Sequence, residues 1–178
     1  MTDAKTHRVT VEELVDRAEI LDCLARYSRG MDRQDRDLVR SVYHPDAIDN
    51  HGGLVMDVET FIDWAFGYHA DQAMHQHAVS NVSFDIDGDT AHTECYYLFT
   101  VRFPDDDRPL EQVGGRYIDR FEKRDGRWAV AARVCTTEWR TKQPSKMSMR
   151  AAEIIGAGAT RDRNDPSYQR PLVIDPPA

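Results

Sequence analysis

Near residue 75 the hydrophobic pattern switches from a helical to a two-residue period, and the switch decides the fold class. Four long strands are expected downstream, over 75–86, 90–103, 111–123 and 128–139. In the second, Ala91, Thr93, Cys95, Tyr97, Phe99, Val101 and Phe103 alternate with mainly polar neighbours, as in a strand buried on one side. Asp87-Gly88-Asp89 and Asp125-Gly126 interrupt the alternation where tight hairpins belong, because Asp-Gly pairs accept the positive φ of such turns.

Upstream, Thr10 and Glu13 have the Thr-x-x-Glu spacing of a helix start. A first helix to about Arg29 is expected to bury Val11, Leu14, Val15, Ala18, Leu21, Leu24, Ala25 and Ser28, with Gly30 ending it. A short second helix follows Asp35, with Leu38, Val39 and Val42 inward, and stops before Pro45. Residues 46–50 read as a brief extended piece and 51–53 as a turn. Asp57 can cap a third helix over Val58 to Tyr68, carrying Phe61, Ile62, Ala65 and Phe66. Three helices followed by an antiparallel meander make an α+β chain, with helices across one face of a curved sheet and a pocket between them.

A chain of 178 residues with 40% hydrophobic residues can bury one ordinary core. Its 31 acidic against 23 basic side chains give a net charge of -8, which argues against nucleic acid or an anionic membrane as partner. No run is long and apolar enough for a spanning helix and the start lacks a signal-peptide stretch, so a cytoplasmic protein is expected. Cys23, Cys95 and Cys135 show no metal or redox spacing. Phosphate-binding, zinc-protease and serine-hydrolase motifs are missing, so no cofactor and no metal are called for. Residues 1–140 are read as one domain and 141–178 as a polar extension packing on it or on a neighbouring subunit, with a short helix over 145–155.

The ordered pieces RYSRGMDRQD, VYHPDAID, HQHAVSN, IDGDTA and GGRYIDRFEKRDGRWAVAARV, over residues 9 to 140, resemble the SnoaL-like branch of the nuclear transport factor 2-like superfamily. The resemblance implies a cone-shaped, strongly bent sheet around a hydrophobic cavity, assembled as dimers or trimers. It also implies any of several chemistries on that one cone, or binding alone. Among its scytalone dehydratase and hexachlorocyclohexane dehydrochlorinase members, a His takes a proton and an Asp orients it. Asp32 matches that Asp, His77 that His, and Arg133 a cavity Arg. Met31 and Asn50 replace two substrate-holding tyrosines, and Tyr27 replaces a lysine. In ketosteroid isomerases of the superfamily an oxyanion-donating Tyr falls at Tyr27, whereas their carboxylate base falls near His51.

Elementary chemistry supports the same pair. An imidazole of ordinary pKa near ~6.5 accepts a proton at neutral pH, and a carboxylate on its other nitrogen fixes the tautomer and stabilises the imidazolium. Read from the residues alone, Asp32 could equally cap a turn and His77 be structural; His75, on the same strand face, is the rival base. Arg133 can stabilise departing anionic charge or pair a buried carboxylate. Asn81, Trp64, Tyr97, Phe99 and Trp139 are the candidate substrate contacts, with Phe61 and Phe66 as further aromatics. The expectation is a cofactor-independent lyase expelling water, halide or formaldehyde from a hydrophobic aromatic or polycyclic molecule. An isomerase using Tyr27 and a non-catalytic binding module are the alternatives.

Overall fold

The computed structural model describes residues 8–105, 107–144 and 159–174; the helix expected over 145–155 lies outside the described residues. The chain runs α1 (Val11–Asp32), α2 (Arg36–Arg40), β1 (Tyr43–His51), β2 (Leu54–Asp57), α3 (Val58–Tyr68), β3 (Met74–Asp87), β4 (Thr90–Arg102), β5 (Leu110–Arg124) and β6 (Arg127–Gln143). A single six-stranded sheet has the order β2-β1-β6-β5-β4-β3. The four long strands form the expected antiparallel meander. Two further strands correct the four-stranded expectation: β1 pairs with β6 in parallel, and β2 folds back on β1 through Gly52 and Gly53, both at positive φ. Helix α1 packs on β3 at one edge and on β6 three strands away, which requires the sheet to bend around it.

Thr10 caps α1 by accepting from the Glu13 amide at 3.1 Å, and Asp57 caps α3 through the Thr60 amide at 2.8 Å. The buried face of α1, however, is not the expected one. Val11, Leu14, Val15 and Leu21 are exposed, while Asp16, Ile20, Cys23, Leu24, Tyr27 and Met31 face inward. The inner face carries polar groups with buried partners, so counting apolar residues selects the wrong side. Asp16, for example, accepts from the Trp128 indole at 2.8 Å and from Lys123 at 2.9 Å. Nor does Gly30 end the helix, which continues to Asp32. A Cβ at Gly30 would lie 2.7 Å from Val39 Cγ2, so glycine there lets α2 pack closely.

The core between helices and sheet is aromatic-rich, with Tyr27, Phe61, Tyr117, Phe121 and Trp128 fully buried. Residues 159–174 fold back on the same chain. Tyr168 donates to Asp35 at 2.9 Å, Arg29 lies over the Tyr168 ring at 4.5 Å, and Arg161 donates to the His69 carbonyl at 2.7 Å. The extension therefore covers the end of α1, where Asp32 sits.

Candidate active site

Asp32 closes α1, and His77 lies on the inward face of β3. His77 Nδ1 is 2.7 Å from Asp32 Oδ1, and the His77 amide donates to both carboxylate oxygens at 3.1 Å. A carboxylate only accepts, so Nδ1 carries a proton and Nε2 is the nitrogen left free of Asp32. His75 is committed differently: its Nε2–H donates to the Met31 carbonyl at 2.9 Å, its Nδ1 is buried without a partner, and it does not line the cavity. Asp32, His75 and His77 do bring three possible ligand atoms within 4.8 Å. Binding an ion there would cost the hydrogen bonds of His77 to Asp32 and of His75 to Met31.

The cavity inside the sheet has a volume of about 250 Å³ and is lined by Tyr27, Phe61, Trp64, His77, Tyr97 and Phe99, among others. A wider, more open groove of about 570 Å³ lies on the other side of the dyad, between α1, β3 and Ser167, and shares Asp32 and His77. The smaller cavity is walled mainly by aromatic side chains, whereas the groove opens more widely to solvent. Tyr27 stacks on Phe61 and meets the His77 ring edge-on at 6.4 Å. Burial pushes its phenol above the ordinary range, against the pull of Arg133, leaving it a neutral donor.

Three expected site residues lie elsewhere. Asn81 is exposed, at φ +54°, in a bulge between Ser80 and Ser83 that sets two residues against one on β4. Beyond it Val82, Phe84 and Ile86 take the inward face instead. Trp139 is displaced likewise: Gly115 pairs with Thr137 but Gly114 with Trp139, so Glu138 is the extra residue. Thr137 keeps the inward face of Cys135 and lines the cavity, whereas beyond the bulge Trp139 stands on the outer sheet face, over Gly114. A Cβ at Gly115 would meet the Thr136 carbonyl at 1.9 Å, so this bulge requires glycine. Arg133 points inward but lies beneath the cavity wall, its guanidinium 4.2 Å from the Tyr27 centroid and 4.4 Å from that of Tyr117. Both Arg133 and Asp119 are fully buried and form a bidentate pair, each contact 2.7 Å. Phe66 also leaves the cavity, under Arg36.

Other residues enter that the sequence reading did not assign to the site. His51 lines the cavity, with Nδ1 3.1 Å from Asp49 Oδ1, while the Tyr43 hydroxyl donates to Asp49 Oδ2 at 2.8 Å. Burial pulls the His51 imidazole down, but the hydrogen bond to Asp49 and the adjoining Cys135 thiol outweigh it and raise its pKa to about 9. His69, just beyond α3, also lines the cavity; burial lowers it to about 4 despite its hydrogen bond with Gln72. Burial likewise lowers His75 to about 3. The Asp49-x-His51 spacing on one strand face was a legible signal; nothing in the sequence marks His69.

Residues 12–134 match the model of the SnoaL-like domain. The chain belongs to the SnoaL-like family. An uncharacterized protein of Mycobacterium tuberculosis is 28% identical to this SnoaL-like chain over 131 residues, covering 72% of this chain and 89% of its own. Among solved structures, a scytalone dehydratase-like protein of Novosphingobium aromaticivorans superposes with a TM-score of 0.69 at 20% identity, covering 79% of this chain and 94% of that one. A hexachlorocyclohexane dehydrochlorinase of Novosphingobium barchaimii gives 0.70 at 17% identity, covering 78% and 97%. A Nostoc punctiforme protein with a cystatin-like fold gives 0.62 at 19%, covering 74% and 96%. At these identities the structural likenesses establish the fold, an α+β cone with an open sheet. No helix among the described residues is long and apolar enough to cross a membrane.

Proposed function

We propose that this SnoaL-like protein is a cofactor-independent lyase in which His77, oriented by Asp32, takes a proton from carbon and a leaving group departs from the adjacent carbon. The observation that carries the reading is the 2.7 Å His77–Asp32 contact with His77 on the wall of a cavity lined mainly by aromatic side chains. Nε2 is the base, and the carboxylate behind the ring stabilises the imidazolium that forms. Since a cavity of ~150 Å³ can hold benzene, about 250 Å³ suits a substituted aromatic compound of one or two rings. Tyr27, a neutral phenol beside His77, supports isomerisation as the second reading, because it can donate to an enolate oxygen when no leaving group is present.

Arg133 does not enter this scheme as a free cation, because Asp119 neutralises it. We also propose a homo-oligomer acting in the cytoplasm, with Ile118, Val134 and Trp139 on the exposed outer sheet face meeting a second copy. The test of the lyase reading is a mass-spectrometric screen of purified protein, without added cofactor, against pooled aromatic alcohols and halides. A product lighter by water, hydrogen halide or formaldehyde is expected, with turnover falling ~10²- to 10⁴-fold in His77→Gln. Asp32→Asn should lose turnover too. Undiminished turnover in both variants would refute the mechanism.

A further inference from the structure

The strand register sets a thiol beside the imidazole–carboxylate pair of β1. On the inner face of the sheet, His51 on β1 is paired with Cys135 on β6, which is paired in turn with Tyr117 on β5. All three line the cavity. Paired residues on neighbouring strands lie ~5 Å apart and face the same way, and the Cys135 thiol hydrogen-bonds the His51 ring. The row behind carries Asp49, Arg133 and Asp119. Asp49 is fully buried; it meets His51 Nδ1 at 3.1 Å with one oxygen and accepts the Tyr43 hydroxyl at 2.8 Å with the other. Nδ1 is thus committed to Asp49, which leaves Nε2 for the thiol. The ring is held in place between Phe61, at 5.4 Å, and Trp64, at 5.3 Å, on α3. A thiol, a base in contact with it and a carboxylate that orients the base are the three parts that activate a cysteine. The other two thiols are placed differently. Cys23 donates to the Val42 carbonyl at 3.4 Å, burial pushes both it and Cys95 up to about 11, and neither lines the cavity.

We propose that Cys135, with His51 as its base and Asp49 behind that base, is a nucleophile of the cavity that adds to aromatic α,β-unsaturated carbonyl compounds. His51 takes the thiol proton, and Sγ attacks the carbon β to the carbonyl, forming the S–C bond. The C=C electron pair moves onto the α carbon and carbonyl oxygen as an enolate, and the proton held by His51 then passes to the α carbon. The product is a saturated thioether with no group expelled, and the reverse steps release the compound. Such an electrophile takes up both the sulfur and the proton that the pair supplies. The surrounding wall suits it: among the described residues lining the cavity there is no Lys, Arg, Asp or Glu, and Tyr117 adds a neutral phenol beside Cys135. His77 and Asp32 take no part, so this step stands or falls apart from the lyase reading.

The test is labelling with 4-phenylbut-3-en-2-one at pH 7, the adduct being fixed by borohydride reduction of its ketone and located by intact-mass and peptide mass spectrometry. The native protein should take one adduct, on Cys135, at least ~10-fold faster than glutathione reacts. Cys135→Ser should form none. His51→Gln and Asp49→Asn should each slow the labelling ~10-fold or more. Equilibrium dialysis with 4-phenylbutan-2-one, the saturated analogue, checks the cavity: all three variants should bind it within twofold of the native protein, and it should protect native Cys135 without adding to it. No adduct on the native protein, labelling of Cys23 or Cys95 to the same extent, a rate no higher than that of glutathione, or an undiminished rate in His51→Gln would overturn the proposal.

Discussion

Acid should destabilise this protein well before its carboxylates titrate. His69 and His75 are buried and uncharged, with pKa values lowered to about 4 and about 3 by burial. For a base whose folded value lies below its unfolded value, ~6.5, the unfolded chain binds protons that the folded chain refuses, so stability is lost as pH falls through 6.5 towards the folded value. At pH 5 the unfolded chain has gained nearly its full proton on each ring and the folded chain almost none. Each ring then costs about 2 kcal/mol relative to neutral pH. His51 works in the opposite sense: raised to about 9, it contributes stability that is fully present below 6.5 and lost as pH rises through 9. Between pH 7 and pH 5 it returns rather under ~1 kcal/mol. The net loss is about 3 kcal/mol, a large share of the ~5–15 kcal/mol total of a typical domain. Urea denaturation followed by circular dichroism at pH 7, 6 and 5, at one protein concentration, measures it directly. His75→Gln should flatten the slope by about 2 kcal/mol over that range. A loss under ~1 kcal/mol, or an unchanged slope in the variant, would show that these rings are not held neutral as the structure implies.

Two further outcomes test the packing. Asp119→Asn should destabilise the fold by roughly 3–5 kcal/mol in urea denaturation, because it strands the charge of Arg133 in the interior; Asp119→Leu with Arg133→Met should recover much of that, and a neutral Asp119→Asn would refute the buried pair. Ile118→Glu, on the outer sheet face, should reduce the assembly seen by sedimentation while leaving the far-ultraviolet spectrum unchanged; an unaltered sedimentation profile would exclude that face as the contact between copies.

Much of the architecture was legible because periodicity reports local geometry. Helix α3 and its Asp57 cap follow from residues close in sequence, as do the two hairpins, whose turns carry Gly88 at φ +57° and Asp125 and Gly126 at +53° and +75°. The pairing of β1 with β6 was not legible, since it joins residues more than eighty apart and no local pattern encodes a parallel neighbour. The inner face of α1 was misread because its buried polar residues earn their place through distant partners such as Trp128. Of the residues singled out in the sequence, His77, Tyr27, Trp64, Tyr97 and Phe99 line the cavity, and Asp32 lies behind His77. Asn81 and Trp139 stand outside the cavity for one shared reason: strict alternation cannot anticipate an extra residue, and a single bulge inverts every side chain beyond it.

The cavity's histidines show how one side chain acquires different fates from what stands behind it. His51 and His69 both lose solvation inside the fold, and each has Nδ1 against a side-chain oxygen, at 3.1 Å on Asp49 and 2.9 Å on Gln72. The geometry is nearly the same, but an amide oxygen offers a dipole and a carboxylate a full charge. Burial penalises the imidazolium in both, but for His51 the weakly screened carboxylate, with the Cys135 thiol beside it, outweighs that cost and raises the pKa, while the amide leaves His69 lowered. His75, donating to the Met31 carbonyl, follows His69. A neutral acceptor therefore yields a ring that only packs, and a carboxylate yields one that can hold or pass a proton. Two rings have a carboxylate behind Nδ1, His77 on β3 with Asp32 and His51 on β1 with Asp49.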